Sequence, residues 1–354
     1  MSEITTRASN VAPLAGAAIV ALQFAGLSWW GLSTVVLIAI VLAAVHHAEV
    51  VAERVGEPFG TLILALAVTV IETGLIVSLM LANRETAAAL ARDTVFAASM
   101  IILNLLLGLC LIAAGRRDRE QRRFVRTGAN AALSTLAALL VLTLVLPNFT
   151  TSVAGPVFSF TQLAFVAGFA LILYLTFVFA QTVGHRDYFV RPESAGAEHD
   201  RPSQATATRS FALLLVSLFA VVLLAKGLSA PLEQAIAAAG APLALVGIAI
   251  AGVVLLPEGL AAIRAARIGR LQTSLNLALG SALATIGLTI PAVTVVSFLL
   301  GLPLSLGLEP KSIVLLTLTL FTASLSLARG RVTVLHGAVH LVVFAAYVLV
   351  TILP

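Results

Sequence analysis

Charged residues are scarce in this sequence, at 10% of the chain, whereas soluble domains average roughly 25%. Hydrophobic residues make up 60% of it, and the mean hydropathy is +1.08. This balance excludes a soluble globular protein and predicts one embedded in a lipid bilayer. The net charge of +5 would suit nucleic acid, but the arginines fall in short segments between apolar runs. That distribution is typical of membrane proteins with a basic cytoplasmic face, so we expect lipid and no nucleic acid as partner.

Cysteine is almost absent as well. Cys110 is the single cysteine and lies in an apolar run, which excludes an intramolecular disulfide and a cysteine-rich zinc site. The sequence also lacks a glycine-rich phosphate loop, a paired-aspartate motif and a nucleophile motif, which argues against a membrane-embedded enzyme. We therefore expect a transport protein without a resident cofactor.

Long apolar runs dominate what is present. A membrane-spanning helix takes roughly 20 apolar residues, and eleven runs approach or exceed that length. They predict an all-α integral membrane protein with about 11 transmembrane helices. The predicted spans cover residues 11–28, 30–54, 58–83, 93–115, 124–146, 157–183, 208–236, 240–266, 271–300, 310–328 and 331–353.

Basic residues divide unevenly between the two sides of the predicted membrane. Of the 21 lysines and arginines, 17 lie at the N-terminus or after even-numbered spans, and 4 lie on the other side. Cytoplasmic loops carry an excess of Lys and Arg, so we predict a cytoplasmic N-terminus and an extracytoplasmic C-terminus.

One polar connection, residues 184–209, is long and rich in proline, serine and mixed charge, which predicts a flexible cytoplasmic linker. It suggests an N-terminal transmembrane helix (1–29), a first five-helix repeat (30–183) and a second (210–354). Because each repeat has five spans, corresponding helices would cross the membrane in opposite directions. The sequence therefore predicts an inverted-topology repeat.

Two acidic residues lie deep inside predicted spans, Glu72 in the third and Glu258 in the eighth. A carboxylate at the centre of a membrane helix costs about 2.5–3.5 kcal/mol on insertion scales, so it usually marks a functional site. These spans hold the same position in the two repeats, and transporters with inverted repeats bind their ions near the midplane. We predict that Glu72 and Glu258 bind a metal cation and exchange it for protons.

Other residues near the two acids are candidates for supporting roles. Pro257 removes a backbone donor beside Glu258, and glycines follow both acids, so we expect these spans to break and expose carbonyl oxygens. Thr69, Asn104 and Ser281 could supply further oxygen ligands. For each of these three, ordinary helix packing or an interhelical hydrogen bond is the alternative.

Titratable residues at the ends of spans form a second group. His46, Glu49 and Glu53 share one face of the second span and could pass protons or steer cations toward Glu72. Glu233 lies in the corresponding span of the second repeat. Two interpretations of it stay open, a matching gate residue or a bend of the chain at the membrane interface. For His46, Glu49 and Glu53, the alternative is that they are ordinary polar residues at the membrane interface without a role in transport. His336 and His340 have a spacing that can bind metal, but no HExxH pattern accompanies them.

A pair of carboxylates in one cavity suggests a coupling rule. The pair can be neutralised by one divalent cation or by two protons, whereas the empty, doubly charged site would be costly to carry across an apolar barrier. Only the cation-bound and the proton-bound forms of the protein would then change access from one side of the membrane to the other, as in an exchanger working by alternating access. A passive cation channel is the alternative from another class, although nothing in the sequence suggests a shared pore.

Two stretches also resemble a known family. HHAEVVAERVGEPFGTLILALAVTVIETGLIVSLM (46–80) resembles the first ion-binding repeat of calcium:cation antiporters, in the calcium/proton exchanger branch. LLPEGLAAIRAARIGRLQTSLNLALGSALATIGLTIPAV (255–293) resembles the second, and the bacterial ChaA type of calcium/sodium:proton antiporter is the nearest pattern.

The resemblance implies a protein of the bacterial inner membrane that exports Ca²⁺ against proton entry, with Na⁺ or K⁺ open as further transported cations. By position, Glu72 and Glu258 match the acids that bind calcium and protons in the family, and Glu49, Asn104 and Ser281 match polar positions of neighbouring spans. Eukaryotic relatives carry Gly-Asn-Ala-x-Glu at both acids, where this chain has VTVIE and VLLPE. The asparagine ligands are therefore missing here, and a monovalent cation:proton antiporter stays open as the alternative.

Overall fold

The fold is helical throughout the part of the chain that the structure describes. It is a computed structural model, and it describes residues 3–25, 29–56, 59–82, 87–116, 123–189, 202–238, 240, 242, 244–302 and 304–353. Within these ranges, the one extended pairing is a short antiparallel contact between Arg123 and Arg331. The expectation of an all-α protein is confirmed.

The helices follow the predicted apolar runs closely. Before the central connection lie α1 (Glu3–Phe24), α2 (Trp30–Val55), α3 (Phe59–Ala82), α4 (Ala87–Met100), α5 (Leu107–Gly115), α6 (Arg126–Leu140) and α7 (Phe160–Phe179). After it lie α8 (Gln204–Ala238), α9 (Ala244–Arg267), α10 (Leu271–Leu300), α11 (Pro310–Leu327) and α12 (Val334–Ile352). Helix α8 begins inside the predicted linker, of which residues 190–201 lie outside the described part.

Short wide turns of π-helix interrupt three of the spans. They are Ile101–Leu106 between α4 and α5, Val141–Val145 after α6, and Ala180–Gly184 after α7. Helices α4 and α5, with the π segment between them, form one continuous span, so the described part of the chain has eleven helical segments.

Nine helices in the described residues are long and apolar enough to cross a membrane. Helices α1 and α3 contribute shorter described apolar stretches, Ala8–Phe24 and Leu66–Ser78. Both correspond to spans that the sequence predicts, so the described segments match the expected count of about eleven.

The chain forms two compact units. The first unit comprises residues 1–90 and 198–257, and the second comprises residues 91–197 and 258–354. Each unit therefore combines helices from both halves of the sequence, so the compact units are not the two sequential repeats. The repeats themselves remain a prediction of the sequence.

In the first unit, α1, α2, α3 and α8 pack around an apolar core that includes Ile40 and Val221. His47 connects three of these helices: its Nε2 lies 3.0 Å from the Ser9 carbonyl oxygen, and its Nδ1 lies 3.4 Å from the Ser210 hydroxyl. Pro13, four residues after Ser9, has no N–H to donate to that carbonyl within the helix. His47 therefore supplies the hydrogen bond that the proline cannot make.

In the second unit, glycines let helices approach closely. The backbones of α5 and α12 meet at Gly108 and Gly337, and a Cβ on Gly337 would lie 2.5 Å from the Gly108 carbonyl oxygen. Likewise Gly287 of α10 accommodates the side chain of Tyr174 from α7. Small residues at such crossings are expected in membranes, where close van der Waals packing between helices replaces the hydrophobic driving force.

Candidate functional site

Glu72 lies in the middle of α3, with 2% of its surface exposed. Thr69, one turn earlier on the same helix, is buried too. The hydroxyl of the neighbouring Thr73 is buried and has no hydrogen-bond partner among the described residues. The helix thus carries a carboxylate and two threonine hydroxyls within an apolar segment of the first unit. Carboxylate and hydroxyl oxygens are ligands that a hard cation prefers.

Glu258 lies on α9 and belongs to the second unit. It is half-buried, and its Oε2 accepts a hydrogen bond of 2.8 Å from the Ser281 hydroxyl on α10. The structure thus brings together two residues that the sequence singled out separately. A hydroxyl that donates a hydrogen bond to a carboxylate stabilises the ionised form of that carboxylate. The lone pairs of the hydroxyl oxygen can at the same time face a bound cation.

Tyr174 is a neighbour of Glu258 that sequence reasoning missed. It is buried on α7, in the neighbourhood of Glu258. Its phenol adds a polar group to this region of the second unit. The sequence feature that could have identified Tyr174 is the rarity of tyrosine in this chain. There are three tyrosines, and this one interrupts an apolar run, LILYLTF.

The expected helix breaks at the two acids are wrong. Helix α3 runs without interruption through Glu72, and α9 continues through Pro257 and Glu258 to Arg267. Proline removes one backbone donor and can still be accommodated in a membrane helix, because neighbouring groups satisfy the carbonyl that it frees. The irregular backbone is found instead in the π-helical segments, one of which, Ile101–Leu106, contains Asn104.

Asn104 takes part in a buried polar network of the second unit. Its Nδ2 donates to Thr319 Oγ1 at 2.9 Å, and its Oδ1 lies 3.2 Å from His340 Nδ1. His340 Nε2 lies 3.2 Å from the Ser326 hydroxyl. Since Asn104 Oδ1 is an acceptor, His340 carries its proton on Nδ1 and accepts from Ser326 through Nε2. The network joins the π segment to α11 and α12.

This network also decides the question of a histidine metal site. Both ring nitrogens of His340 are engaged within the protein, so the His336–His340 pair is not arranged to share a metal ion. No group of three or more His, Cys, Asp or Glu side chains could hold a metal in the part of the chain that the structure describes. A cation bound at either glutamate would therefore need hydroxyl, amide or carbonyl oxygens as further ligands.

Replacing His340 by leucine should destabilise the protein. The change leaves the Asn104 oxygen and the Ser326 hydroxyl without their partner in an apolar interior, at a cost of about 1–3 kcal/mol. Thermal unfolding in detergent measures the effect, with the exposed His185→Leu as the matched control. Adding Ser326→Ala to His340→Leu should cost less than Ser326→Ala alone; strict additivity would show that the two side chains are not coupled.

The three titratable residues that the sequence places on one face of α2 are all less buried than Glu72. His46 is half-buried, whereas Glu49 and Glu53 are exposed. The buried histidine is the adjacent His47, which sequence reasoning passed over. Its position on the same face as Ile40 and other buried residues of α2 was the signal that could have identified it.

Glu233 and Asn104 are two further supporting candidates from the sequence. Glu233 lies within helix α8, after Pro231, and its side chain is outside the described part of the structure. Asn104, for which the sequence left a cation ligand and an interhelical hydrogen bond both open, directs its amide to Thr319 and His340. Its described contacts therefore place it in a packing network that spans three segments of the second unit.

The comparisons with known proteins agree on one family. The family model described as "Sodium/calcium exchanger protein" matches residues 26–183 and 209–353. The putative ionic transporter y4hA of Sinorhizobium fredii is 50% identical over 91% of this chain and 88% of its own length. The sodium-potassium/proton antiporter ChaA of Escherichia coli K12 is 34% identical over 90% of this chain and 87% of its own.

Solved structures share the fold at low sequence identity. Native YfkE superposes with a TM-score of 0.71 and 18% identity, covering 96% of this chain and 98% of YfkE. The H⁺/Ca²⁺ exchanger CAX superposes with a TM-score of 0.63 and 14% identity, covering 97% of this chain and 87% of CAX. Together with the family match over both halves of the sequence, these likenesses establish that this membrane protein belongs to the sodium/calcium exchanger family of cation antiporters.

Proposed function

We propose that the chain is a secondary active antiporter that exports Ca²⁺ in exchange for protons, with Glu72 and Glu258 as the groups that carry both. One observation carries the proposal: each half of the sequence places a carboxylate within an apolar helix, buried in α3 and half-buried beside Ser281 in α9. Such costly residues mark ion and proton pathways in membrane proteins. Family membership supports transport rather than catalysis.

The proposed mechanism follows from charge. Two carboxylates that serve the same ion are neutralised either by one divalent cation or by two protons. Without either, the site would carry two negative charges through an apolar environment, which is costly. Only the cation-loaded and the proton-loaded forms would then change access from one side of the membrane to the other. This restriction couples cation movement in one direction to proton movement in the other.

Calcium is the first candidate cation. Carboxylate and hydroxyl oxygens are hard ligands, which suit Ca²⁺ and Na⁺ better than soft metals. The proteins that share the fold include YfkE, described as a Ca²⁺/H⁺ antiporter, and the exchanger CAX. A monovalent exchange is the second candidate, since the relative ChaA is a sodium-potassium/proton antiporter and is 34% identical.

We place the chain in a bacterial inner membrane, with its N-terminus in the cytoplasm and its C-terminus outside. The support is the excess of 17 basic residues on one predicted side over 4 on the other. Both relatives named above come from bacteria. Extracytoplasmic cation release would then be driven by protons that enter down their gradient.

Proteoliposomes with an imposed pH gradient, acidic inside and reported by a trapped dye, test the proposal. Adding Ca²⁺ outside should dissipate the gradient as cation enters and protons leave, while choline should not. Na⁺ and K⁺ in parallel vesicles separate the calcium antiporter from the monovalent one. Cation uptake that proceeds equally without a pH gradient, and moves no protons, would identify a channel and contradict antiport.

A further inference from the structure

A cavity of about 460 Å³ lies in the second unit, near the ends of α5 and α9. It is separate from the polar surroundings of Glu258 and from the His340 network. Its six lining residues are Leu109, Ile112, Ala113, Arg116, Ile263 and Arg267. Two of these are cations and four are apolar, a combination that neither the proposed transport chemistry nor the polar network uses.

The order of these residues along the helices gives the cavity two different ends. On α5, Leu109, Ile112 and Ala113 lie on one face, and Arg116 follows a turn later, just beyond the helix. On α9, Ile263 precedes Arg267, the last residue of the helix, by four positions. Residues three, four and seven apart share a helical face, so each helix presents an apolar surface that ends in an arginine.

The position of the arginines corresponds to the edge of a membrane. The candidate spans that carry the cavity are Ala88–Gly115 and Leu245–Arg267. Arg116 directly follows the first span and Arg267 ends the second, and both side chains are exposed. Because spans end where hydrocarbon meets headgroups, we expect the guanidinium groups at the depth of lipid phosphates and the apolar walls at the depth of acyl chains.

We propose that this cavity binds an anionic phospholipid of the surrounding bilayer. Arg116 and Arg267 would contact the headgroup phosphate, for which the planar guanidinium has matching donor geometry. One acyl chain would lie against Leu109, Ile112 and Ile263. Basic pockets between membrane helices at the cytoplasmic side are suited to anionic headgroups, and this end of both spans is the predicted cytoplasmic one.

Two alternative explanations account for less of the geometry. Arginines at helix C-termini suit the negative end of the helix dipole, but this explains the two charges and not the apolar cavity between them. A free anion such as inorganic phosphate would use the arginines and leave the apolar walls without a role. A zwitterionic lipid would bring a choline cation toward two guanidinium groups, so a net negative headgroup fits better.

Native mass spectrometry of the detergent-purified protein tests the site directly, with dioleoyl phosphatidylglycerol and dioleoyl phosphatidylcholine as probes. The wild type should retain one phosphatidylglycerol in preference to phosphatidylcholine. Arg116→Gln with Arg267→Gln should reduce that preference at least about tenfold, since a basic residue near a membrane surface contributes about 1 kcal/mol. Ala113→Trp, which fills the cavity and keeps both charges, should reduce retention of the lipid as well.

The matched control is Arg126→Gln with Arg329→Gln, which removes two exposed arginines that do not line the cavity. This variant should bind phosphatidylglycerol like the wild type. Equal retention of the two lipids by the wild type would overturn the proposal, as would equal losses in both double variants. Displacement of the bound lipid by millimolar inorganic phosphate would point to an anion site instead.

Discussion

Replacing Glu258 by glutamine will reduce cation-driven proton movement to the level of empty vesicles. Glutamine has nearly the same shape and can still accept the hydrogen bond from Ser281, so the fold should persist. It cannot, however, alternate between a charged form that binds a cation and a neutral protonated form. Glu72→Gln should have the same effect, because the proposed coupling needs both carboxylates.

Dissipation of a pH gradient in proteoliposomes gives the rate, and thermal unfolding with gel filtration shows whether each variant is folded. Glu309→Gln is the matched control in the second unit, since Glu309 is exposed and forms an ion pair with Lys311 at the start of α11. It should exchange cations normally. Wild-type exchange by a folded Glu72→Gln or Glu258→Gln variant would disprove the two-carboxylate mechanism.

Replacing Gly337 by alanine should cause the largest loss of stability among single-methyl substitutions at the α5–α12 crossing. The new Cβ would lie 2.5 Å from the Gly108 carbonyl oxygen and 2.9 Å from the Ile112 backbone nitrogen. Backbone atoms cannot rotate away as a side chain can, so the helices must separate. Overpacking of this kind typically costs about 1–3 kcal/mol.

Thermal unfolding in detergent measures that loss, and Gly168→Ala on α7 is its matched control. A Cβ on Gly168 meets nothing within 4 Å, so its replacement should be neutral or slightly stabilising through better helix propensity. If both variants unfold at the wild-type temperature, the close approach of α5 and α12 does not exist as described.

The membrane fold was predictable because hydropathy is a local property of the chain. The length and hydropathy of each apolar run predict a membrane span without any information from the rest of the chain, and the described helices follow those runs. Helix ends were harder to predict: α8 begins at Gln204, inside the expected linker. A polar stretch can extend a helix into water without changing the apolar pattern, so hydropathy does not fix the boundary.

Helix breaks were the least successful prediction. Proline and glycine next to an acid suggested interruption, yet α9 is continuous through Pro257. Intrinsic propensity is a weak guide inside a membrane, where an unsatisfied backbone group is so costly that helical hydrogen bonding persists around a proline. Conversely, nothing in the residues 101–106 marked them as a π-helical segment.

The sequence by itself determined that this chain is a helical membrane protein and which two carboxylates are costly enough to need a function. Both follow from how water, hydrocarbon and charge interact along a single chain. The tertiary structure alone decided which side chains meet. Ser281 reaches Glu258 across 23 residues of sequence, and His340 reaches Asn104 across 236. Such contacts depend on how packed helices are rotated about their axes, which hydropathy cannot specify.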